Sequence, residues 1–343
     1  MNQTVGGSLS MELSVVTAVY NGEAHLEEAV HSILNQTLND FEYIIVNDGS
    51  NDRTREILDR LTDPRVKVIH SEMNNGAANA LNTGIHEARG EWIALQDADD
   101  VSIEHRLQRQ LDYIKSHPEF AAVGALIQCI SGEESIDPDF LKMESFFFNA
   151  KDPERFRDEQ FYSTPICHGT GFFSKSAFQN IGGYDPNFKI AYDYDLWSRM
   201  FEEGEIGRVP EILYQYRVRT HSLAHTNRIE TTCEVLLSTF KSIVKVKFGH
   251  LNRIPKLLLL GSQKEIAFYK EKIASRNRYS EMLFLEQKMS AIKKAYSLYR
   301  FHKIDGIVLA SNSQADRSFR YFVSKGLSFG SQVFKVWIPD ELS

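Results

Sequence analysis

The chain has 343 residues, 42% of them apolar and 25% charged. That is enough for packed cores and about two domains' worth of length, and it excludes a disordered chain. Twenty glycines and nine prolines exclude a collagen-like or low-complexity chain, and no apolar run approaches the ~20 residues that span a bilayer. The net charge of −7 is unevenly placed. Thr226–Ser343 carries 20 Lys and Arg against 10 Asp and Glu, whereas residues 1–225 carry 19 and 36. An acidic front part repels anionic ligands unless a cation intervenes. A basic rear part suits an anionic surface such as lipid headgroups, or simply docks on the acidic part.

Met1 to Ser10 has neither a basic start nor a long apolar region. Residues 1–12 therefore read as a polar tail rather than a signal peptide. Cys129, Cys167 and Cys233 are few, odd in number and far apart, which reads as three reduced thiols in a cytosolic protein.

The first 130 residues alternate between two periodicities. Leu13–Tyr20 is a Val-rich apolar run ending at Asn21-Gly22, a buried strand and a turn. Glu23–Gln36 carries Leu26, Ala29, Val30, Ile33 and Leu34 at helical spacing. Tyr43–Val46 is a second strand, followed by Asp48-Gly49-Ser50 and a helix capped by Asp52. Val66–Ile69 is a third strand, and a helix from about Ala77 to Arg89 stops at Gly90. Trp92–Leu95 is a fourth strand, ending in Gln96-Asp97-Ala98-Asp99-Asp100. Helix over Glu104–Ser116 and strand over Ala121–Cys129 follow.

Connections this short imply a mostly parallel, Rossmann-like sheet flanked by helices, an α/β fold with ligands at the carboxyl ends of its strands. Ser131–Thr164 is less regular and reads as an insertion. A helix over Asp193–Glu203 and a strand over Ile212–Val218 come next. Beyond Thr226 the pattern reads as mainly helical and basic, with a last helical stretch over roughly Glu281–Phe301.

The acidic cluster Asp97, Asp99, Asp100 is the sharpest chemical feature. Three carboxylates on one strand-end loop repel each other unless a cation sits among them, and hard oxygen ligands suit Mg2+ or Mn2+ holding phosphate oxygens. A plain helix cap competes with that reading at Asp99 and Asp100. Asp48 follows directly on a strand, where a carboxylate can accept from an N–H of a base, and Tyr20 offers a ring for stacking.

Four blocks together carry a resemblance: SVVTAVYNG (14–22), IIVNDGSND (44–52), NNGAANALNTGIHEARGEWIALQDADD (74–100) and YDYDLWSRM (192–200). Their order and spacing resemble the family 2 glycosyltransferases of GT-A fold, from about Leu13 to His225, and Arg106 and Gln110 fit the pattern of its bacterial members. The resemblance implies a GT-A catalytic domain over 13–225 and a C-terminal extension over 226–343 for acceptor, membrane-surface or oligomer contacts. It implies inverting transfer of a hexosyl group from a nucleotide-diphosphate donor such as a UDP-sugar to a hydroxyl acceptor. That acceptor would be a glycan or lipid-linked glycan in surface polysaccharide or lipopolysaccharide synthesis. The metal would be Mn2+ or Mg2+, with no nucleic acid involved, at the cytoplasmic side of the membrane.

Carried over, Tyr20 and Asp48 fall on nucleoside-contacting positions. Asp97 falls on the ribose or metal-side carboxylate, Asp99 on the direct metal ligand and Asp193 on the general base. Chemistry supports Asp193 independently: inversion needs a carboxylate beyond the anomeric carbon to take the hydroxyl proton. Asp195 lies ~200° further around the same helix and should not share the role.

Two departures stand out. Tyr192 occupies the family's usual Glu position, and Arg219 stands where a His is common, with His221 two residues on. Arg219 or His221 could touch the diphosphate, but Arg219 reads more readily as a surface residue; His168 reads as structural, and Leu81 as a familiar variant. A non-catalytic carbohydrate-binding scaffold of the same fold is the alternative. A nucleotidyltransferase is disfavoured, because Tyr20-Asn21-Gly22-Glu23 lacks a basic glycine-rich loop.

Overall fold

A computed structural model describes residues 11–132, 136–161, 163–219, 227–310, 315–336 and 338, with the backbone only at 315 and 316. The chain divides into two units, Met1–Arg157 with Pro165–Ser222, and Asp158–Thr164 with Leu223–Ser343. The segment 158–164, expected with the catalytic part, clusters with the second unit. No helix among the described residues is long and apolar enough to cross a membrane.

The first unit begins as the alternation predicts. Strands β1 (Leu13–Val19), β2 (Glu42–Asn47), β3 (Val66–His70) and β4 (Trp92–Leu95) alternate with helices α1 (Leu26–Leu34), α2 (Thr54–Asp59) and α3 (Ala77–Glu87). The short β5 (Val101–Ser102), α4 (Arg106–Ser116) and β6 (Phe120–Ser131) follow. Next come α5 (Pro138–Asn149), the one-turn α6 (Phe156–Glu159), β7 (Phe172–Ser174), α7 (Lys175–Asn180), α8 (Tyr192–Met200) and β8 (Glu205–Val218). The sheet order is β3-β2-β1-β4-β7-β6-β8-β5. Pairings are parallel from β3 to β4 and between β6 and β8, and antiparallel at β4–β7, β6–β7 and β5–β8. The three-residue β7 runs antiparallel to its neighbours β4 and β6, a direction that so short a segment does not announce.

Two apolar layers cover the sheet. Val16, Ile44, Val46, Leu81 and Ile85 pack on one face, and Val15, Ile45, Val30, Ile33 and Leu107 on the other. Both faces of β1 and β2 are thus buried, which is why those strands read as unbroken apolar runs. Ser131–Thr164 needs a correction. It holds the 12-residue helix α5, with Asp137 accepting from Asp139 N and Pro138 in the first turn. None of its residues is fully buried, so its apolar side chains gave no clear core stripe.

The second unit contains α9 (Arg228–Phe248), β9 (Lys256–Gly261), α10 (Gln263–Phe268), β10 (Glu281–Glu286), α11 (Met289–Arg300), β11 (Gly306–Ala310), α12 (Ala315–Ser324) and β12 (Val333–Val336). The expectation of a mainly helical region is met at α9 and α11 and corrected around α11, because four parallel strands, two before it and two after it, form a sheet in the order β10-β9-β11-β12. The predicted helix over Glu281–Phe301 is a strand followed by a helix. Leu257–Leu260 and Ile307–Leu309 are wholly buried strands, and periodicity cannot separate such short apolar runs from buried helix. Helix α10 starts with a capping box, Ser262 taking Glu265 N while the Glu265 carboxylate takes Ser262 N.

Candidate functional site

The carboxyl ends of β1 and β2 are stitched together by their own loops. Asn21, at φ 52°, accepts from Asn51 N at 2.9 Å, and its N–H donates to Ser50 Oγ at 2.9 Å. Gly22 N donates to Thr54 Oγ1 at 2.8 Å and Glu23 N to Asp52 Oδ2 at 3.1 Å. Asp52 Oδ1 also takes Thr54 N, but the cap position of α2 is Arg53, so the predicted cap lies one residue before it. Since Val19 is registered against Asn47, Tyr20 and Asp48 leave the sheet side by side. Tyr20 is 48% exposed, an open ring at the strand end.

Asp48 is buried, and its two oxygens accept from Asn75 N at 2.9 Å and Gly76 N at 2.8 Å. It therefore braces the turn into α3, and each oxygen keeps lone-pair capacity for a further donor. Gly49 next to it has φ +69°, and a Cβ there would lie 2.4 Å from the Met73 carbonyl carbon.

The loop after β4 is held from beneath by Arg106, which is wholly buried. Its guanidinium donates to Leu95 O at 2.7 Å, Ser102 Oγ at 2.8 Å, Gln96 Oε1 at 3.2 Å and Gln110 Oε1 at 2.8 Å. It also lies 4.9 Å over the Tyr214 ring. Gln96 passes the support on, donating to Asp97 O and Asp100 O at 2.9 Å each. Gln110 donates to Thr170 O at 2.8 Å, tying α4 to the turn before β7. Arg106 and Gln110 thus carry the frame of the acidic loop.

Above that frame, Asp97 Oδ1 meets His168 Nδ1 at 2.8 Å, and His168 Nε2 meets the Tyr184 hydroxyl at 3.0 Å. Tyr184 is positioned by α3, with Asn82 Nδ2 donating to Tyr184 O and Tyr184 N donating to Asn82 Oδ1, both at 2.9 Å. Gly169 lets the turn carrying His168 approach: a Cβ there would fall 2.0 Å from the Tyr214 hydroxyl and 2.8 Å from Asp97 Oδ2. Burial favours the neutral imidazole, yet the Asp97 and Asp193 carboxylates outweigh it and hold the His168 pKa above the ordinary value. His168 is structural, as expected, but it is structural inside the site.

Asp193 sits in the first turn of α8, not at its cap, which is Ala191. Its Oδ1 accepts from Tyr194 N at 2.7 Å. Burial pushes its pKa up, against the pull of His168 and the Tyr194 N–H, while Asp97 adds to the rise. Asp195 is consumed elsewhere, accepting from Arg199 at 2.8 and 2.5 Å. Tyr192, in place of a second acid, packs edge-on against His168 and Tyr184 at ring distances of 5.4 and 5.8 Å.

Asp99 and Asp100 diverge. Asp100 is buried and Oδ1 accepts from Arg217 N at 2.7 Å, so it anchors β8. Asp99 is only partly buried and its carboxylate is ion-paired with Arg219. Burial raises the Asp99 pKa and Asp97 raises it further, whereas Arg219 and His25 pull it down. Arg219, read from sequence as a surface residue, needs correction: it is half-exposed but engaged on a site carboxylate.

The loop after β4 and the first turn of α8 bring Asp97, Asp99 and Asp193 around Tyr192, and Asp97 acts on both of the others. Asp48 and Tyr20 stand at the same edge of the sheet, at the ends of β2 and β1, with β1 between β2 and β4. Among the described residues no group of three or more His, Cys, Asp or Glu converges on one point. Asp97 and Asp99 nonetheless fit a hard divalent ion, two carboxylates from one loop whose mutual repulsion raises the Asp99 pKa; water and phosphate oxygens would complete the shell. Sequence reasoning missed Arg217, Tyr214 and the Tyr184 contact, because each acts from more than a hundred residues away or through a turn.

A curled sheet with its polar residues at the strand ends defines the GT-A class of sugar-transfer folds. The model of the family described as Glycosyl transferase family 2 matches residues 14–182. A Bacillus subtilis protein designated a glycosyltransferase and named EpsE is 32% identical over 212 residues, covering 60% of this chain and 73% of that one. The chain belongs to glycosyltransferase family 2. S. aureus TarS 1–349 in complex with UDP-GlcNAc has the same fold, with a TM-score of 0.55, 19% identity and coverage of 68% and 67%. So does the mannosyltransferase PcManGT from Pyrobaculum calidifontis in complex with GDP-Man and Mn2+, with a TM-score of 0.52, 17% identity and coverage of 92% and 81%.

Proposed function

We propose that this glycosyltransferase transfers a hexosyl group with inversion from a nucleotide-diphosphate donor, a UDP-sugar, to a hydroxyl of a glycan or lipid-linked glycan. The observation that carries the reading is that Asp97, Asp99 and Asp193 all act on Tyr192, with His168 bonded to Asp97 and under the influence of Asp193. Tyr20 stacks on the base, and Asp48 accepts from it while still bracing its own loop. Asp97 and Asp99 would hold Mn2+ or Mg2+, which when bound would neutralise the diphosphate and help it depart.

Asp193 takes the acceptor's proton as the acceptor oxygen bonds to the anomeric carbon. The bond from that carbon to the diphosphate oxygen breaks with its electron pair, and the sugar's configuration inverts. A carboxylate with a raised pKa is a stronger proton acceptor than an ordinary one. His168 and the Tyr194 N–H pull against that rise. The basic balance of residues 226–343 supports contact with an anionic, lipid-borne acceptor and a place at the inner face of the plasma membrane, in polysaccharide or lipopolysaccharide synthesis.

The test is a thermal-shift screen of the full chain with UDP, GDP and their sugar derivatives, with and without Mn2+. A donor should raise the melting temperature by mass action. A flat response to every nucleotide would remove the donor reading.

A further inference from the structure

The end of β8 is clamped onto the acidic loop. Arg217 donates from its N–H to Asp100 Oδ1 at 2.7 Å, from Nε to Asp99 O at 2.6 Å, and from its guanidinium to Glu28 at 2.5 Å. Two residues on, Arg219 reaches back to the Asp99 carboxylate. Its stem is fixed over Gly132, where a Cβ would fall 2.6 Å from Arg219 Cγ and 2.8 Å from Val218 O. The guanidinium is therefore aimed at Asp99 by the fold. It remains 45% exposed, with Asp99 at 25%, so the pair opens on solvent, and Asp99 once released needs another cation in its place. Asp97 and Asp99 together carry two negative charges, and Arg219 cancels half of that. A divalent ion seeking the same carboxylates meets a resident cation.

We propose that Arg219 is a positioning residue that makes metal loading depend on the donor, an inference resting on the donor reading above. Without nucleotide the guanidinium occupies Asp99 and opposes the divalent ion. The diphosphate of an arriving nucleotide draws the guanidinium onto its own oxygens, and Asp99 is released to the metal. Bidentate phosphate recognition suits an arginine, and the exchange conserves charge pairing at every point.

The experiment is a Mn2+ titration of the full chain, read by the electron paramagnetic resonance of free Mn2+, alone and with UDP or GDP, for wild type and Arg219→Gln. Calorimetry of UDP and GDP is run beside it. Without nucleotide, Arg219→Gln should bind Mn2+ about 10-fold tighter than wild type. Nucleotide should tighten Mn2+ on wild type at least about 10-fold, and less on the variant; linkage requires Mn2+ to tighten the nucleotide by the same factors. Arg219→Lys should fall between, because it restores charge without the planar fork. A merely structural arginine would leave the coupling unchanged. Equal Mn2+ affinities in wild type and Arg219→Gln with nucleotide still binding overturn the hand-over alone. Failure of both UDP and GDP to bind overturns the donor reading and the hand-over with it. Absence of Mn2+ binding in either protein under all conditions overturns the hand-over as well.

Discussion

Replacing Asp193 by Asn separates chemistry from stability in one variant. The amide keeps an oxygen for Tyr194 N, at 2.7 Å in the wild type, and nearly the same volume. It cannot take a proton from an acceptor hydroxyl. Loss of a general base lowers the rate by about 100- to 10,000-fold, or about 3–5 kcal/mol of transition-state stabilisation. Stability should move the other way. Burial raises the Asp193 pKa in the fold, His168 and the Tyr194 N–H oppose the rise, and Asp97 reinforces it. A carboxyl whose folded pKa lies above its unfolded one favours the fold while protonated. That advantage is lost as pH rises from the ordinary carboxylate range through the folded pKa.

Above the folded pKa the wild type therefore bears the cost of a charged Asp193 and the Asn variant does not. The variant should melt at the same temperature or higher at pH 8, and the difference should vanish near pH 3.5. Loss of one of the two carboxylates beside His168 trims the gain, but Asp97 remains at 2.8 Å. The assay is release of nucleoside diphosphate from the donor found by thermal shift, with melting curves at both pH values. A kcat/KM within threefold of wild type refutes the base. A fall in melting temperature of several degrees at pH 8 would make Asp193 a structural residue instead.

Three further outcomes follow, two from the frame around the site and one from the amino end of β2. Gly49→Ala forces a side chain into a left-handed backbone and against the Met73 backbone; it should cost about 1–3 kcal/mol, and an unchanged denaturation midpoint would contradict the geometry. Arg106→Met strands Leu95 O and loosens the acidic loop; about 3–5 kcal/mol of stability should go, and nucleotide affinity with it, whereas wild-type affinity in the variant would show that the loop holds itself. Glu42 is buried, which raises its pKa, but Ser14 and the Arg89 N–H and guanidinium win and leave it low. Glu42→Gln should therefore be less stable than wild type at pH 7, with the gap closing as pH falls toward 3; a gap independent of pH would exclude the charge as its origin.

Much of the first unit was legible because its strands are buried on both faces and its helices on one. Leu13–Val19 and Glu42–Asn47 read directly as apolar runs, and the polar residues just past them mark the edge where ligands bind. The pairings of Asp97 with His168 and of Asp99 with Arg219 were not legible. They join residues 71 and 120 positions apart, and a lone His or Arg carries no local sign of its partner. The sheet of the second unit was missed for a different reason. Strands of four to six residues such as Gly306–Ala310 and Val333–Val336 are too short for period to discriminate, and helices of clear amphipathic pattern lie beside them.

Counting partners divides the acids near the site into two sets, and the division assigns their work. Asp48 spends both oxygens on backbone N–H groups, Asp100 holds Arg217 N, and Asp195 is locked to Arg199. Those carboxylates are fixed by the fold, and withdrawing any of those partners would break a loop or a helix contact. Asp97 is held by His168 and Asp99 by Arg219, whereas Asp193 accepts from Tyr194 N in the first turn of its helix. Side-chain cations at a cleft can be exchanged for another cation or for a proton without breaking the sheet. Sequence alone counts six similar acids at strand and helix ends. The structure separates Asp97 and Asp99, whose partners are side chains at the cleft, from the others, and the proposed reaction would use those two for the metal and Asp193 for the proton.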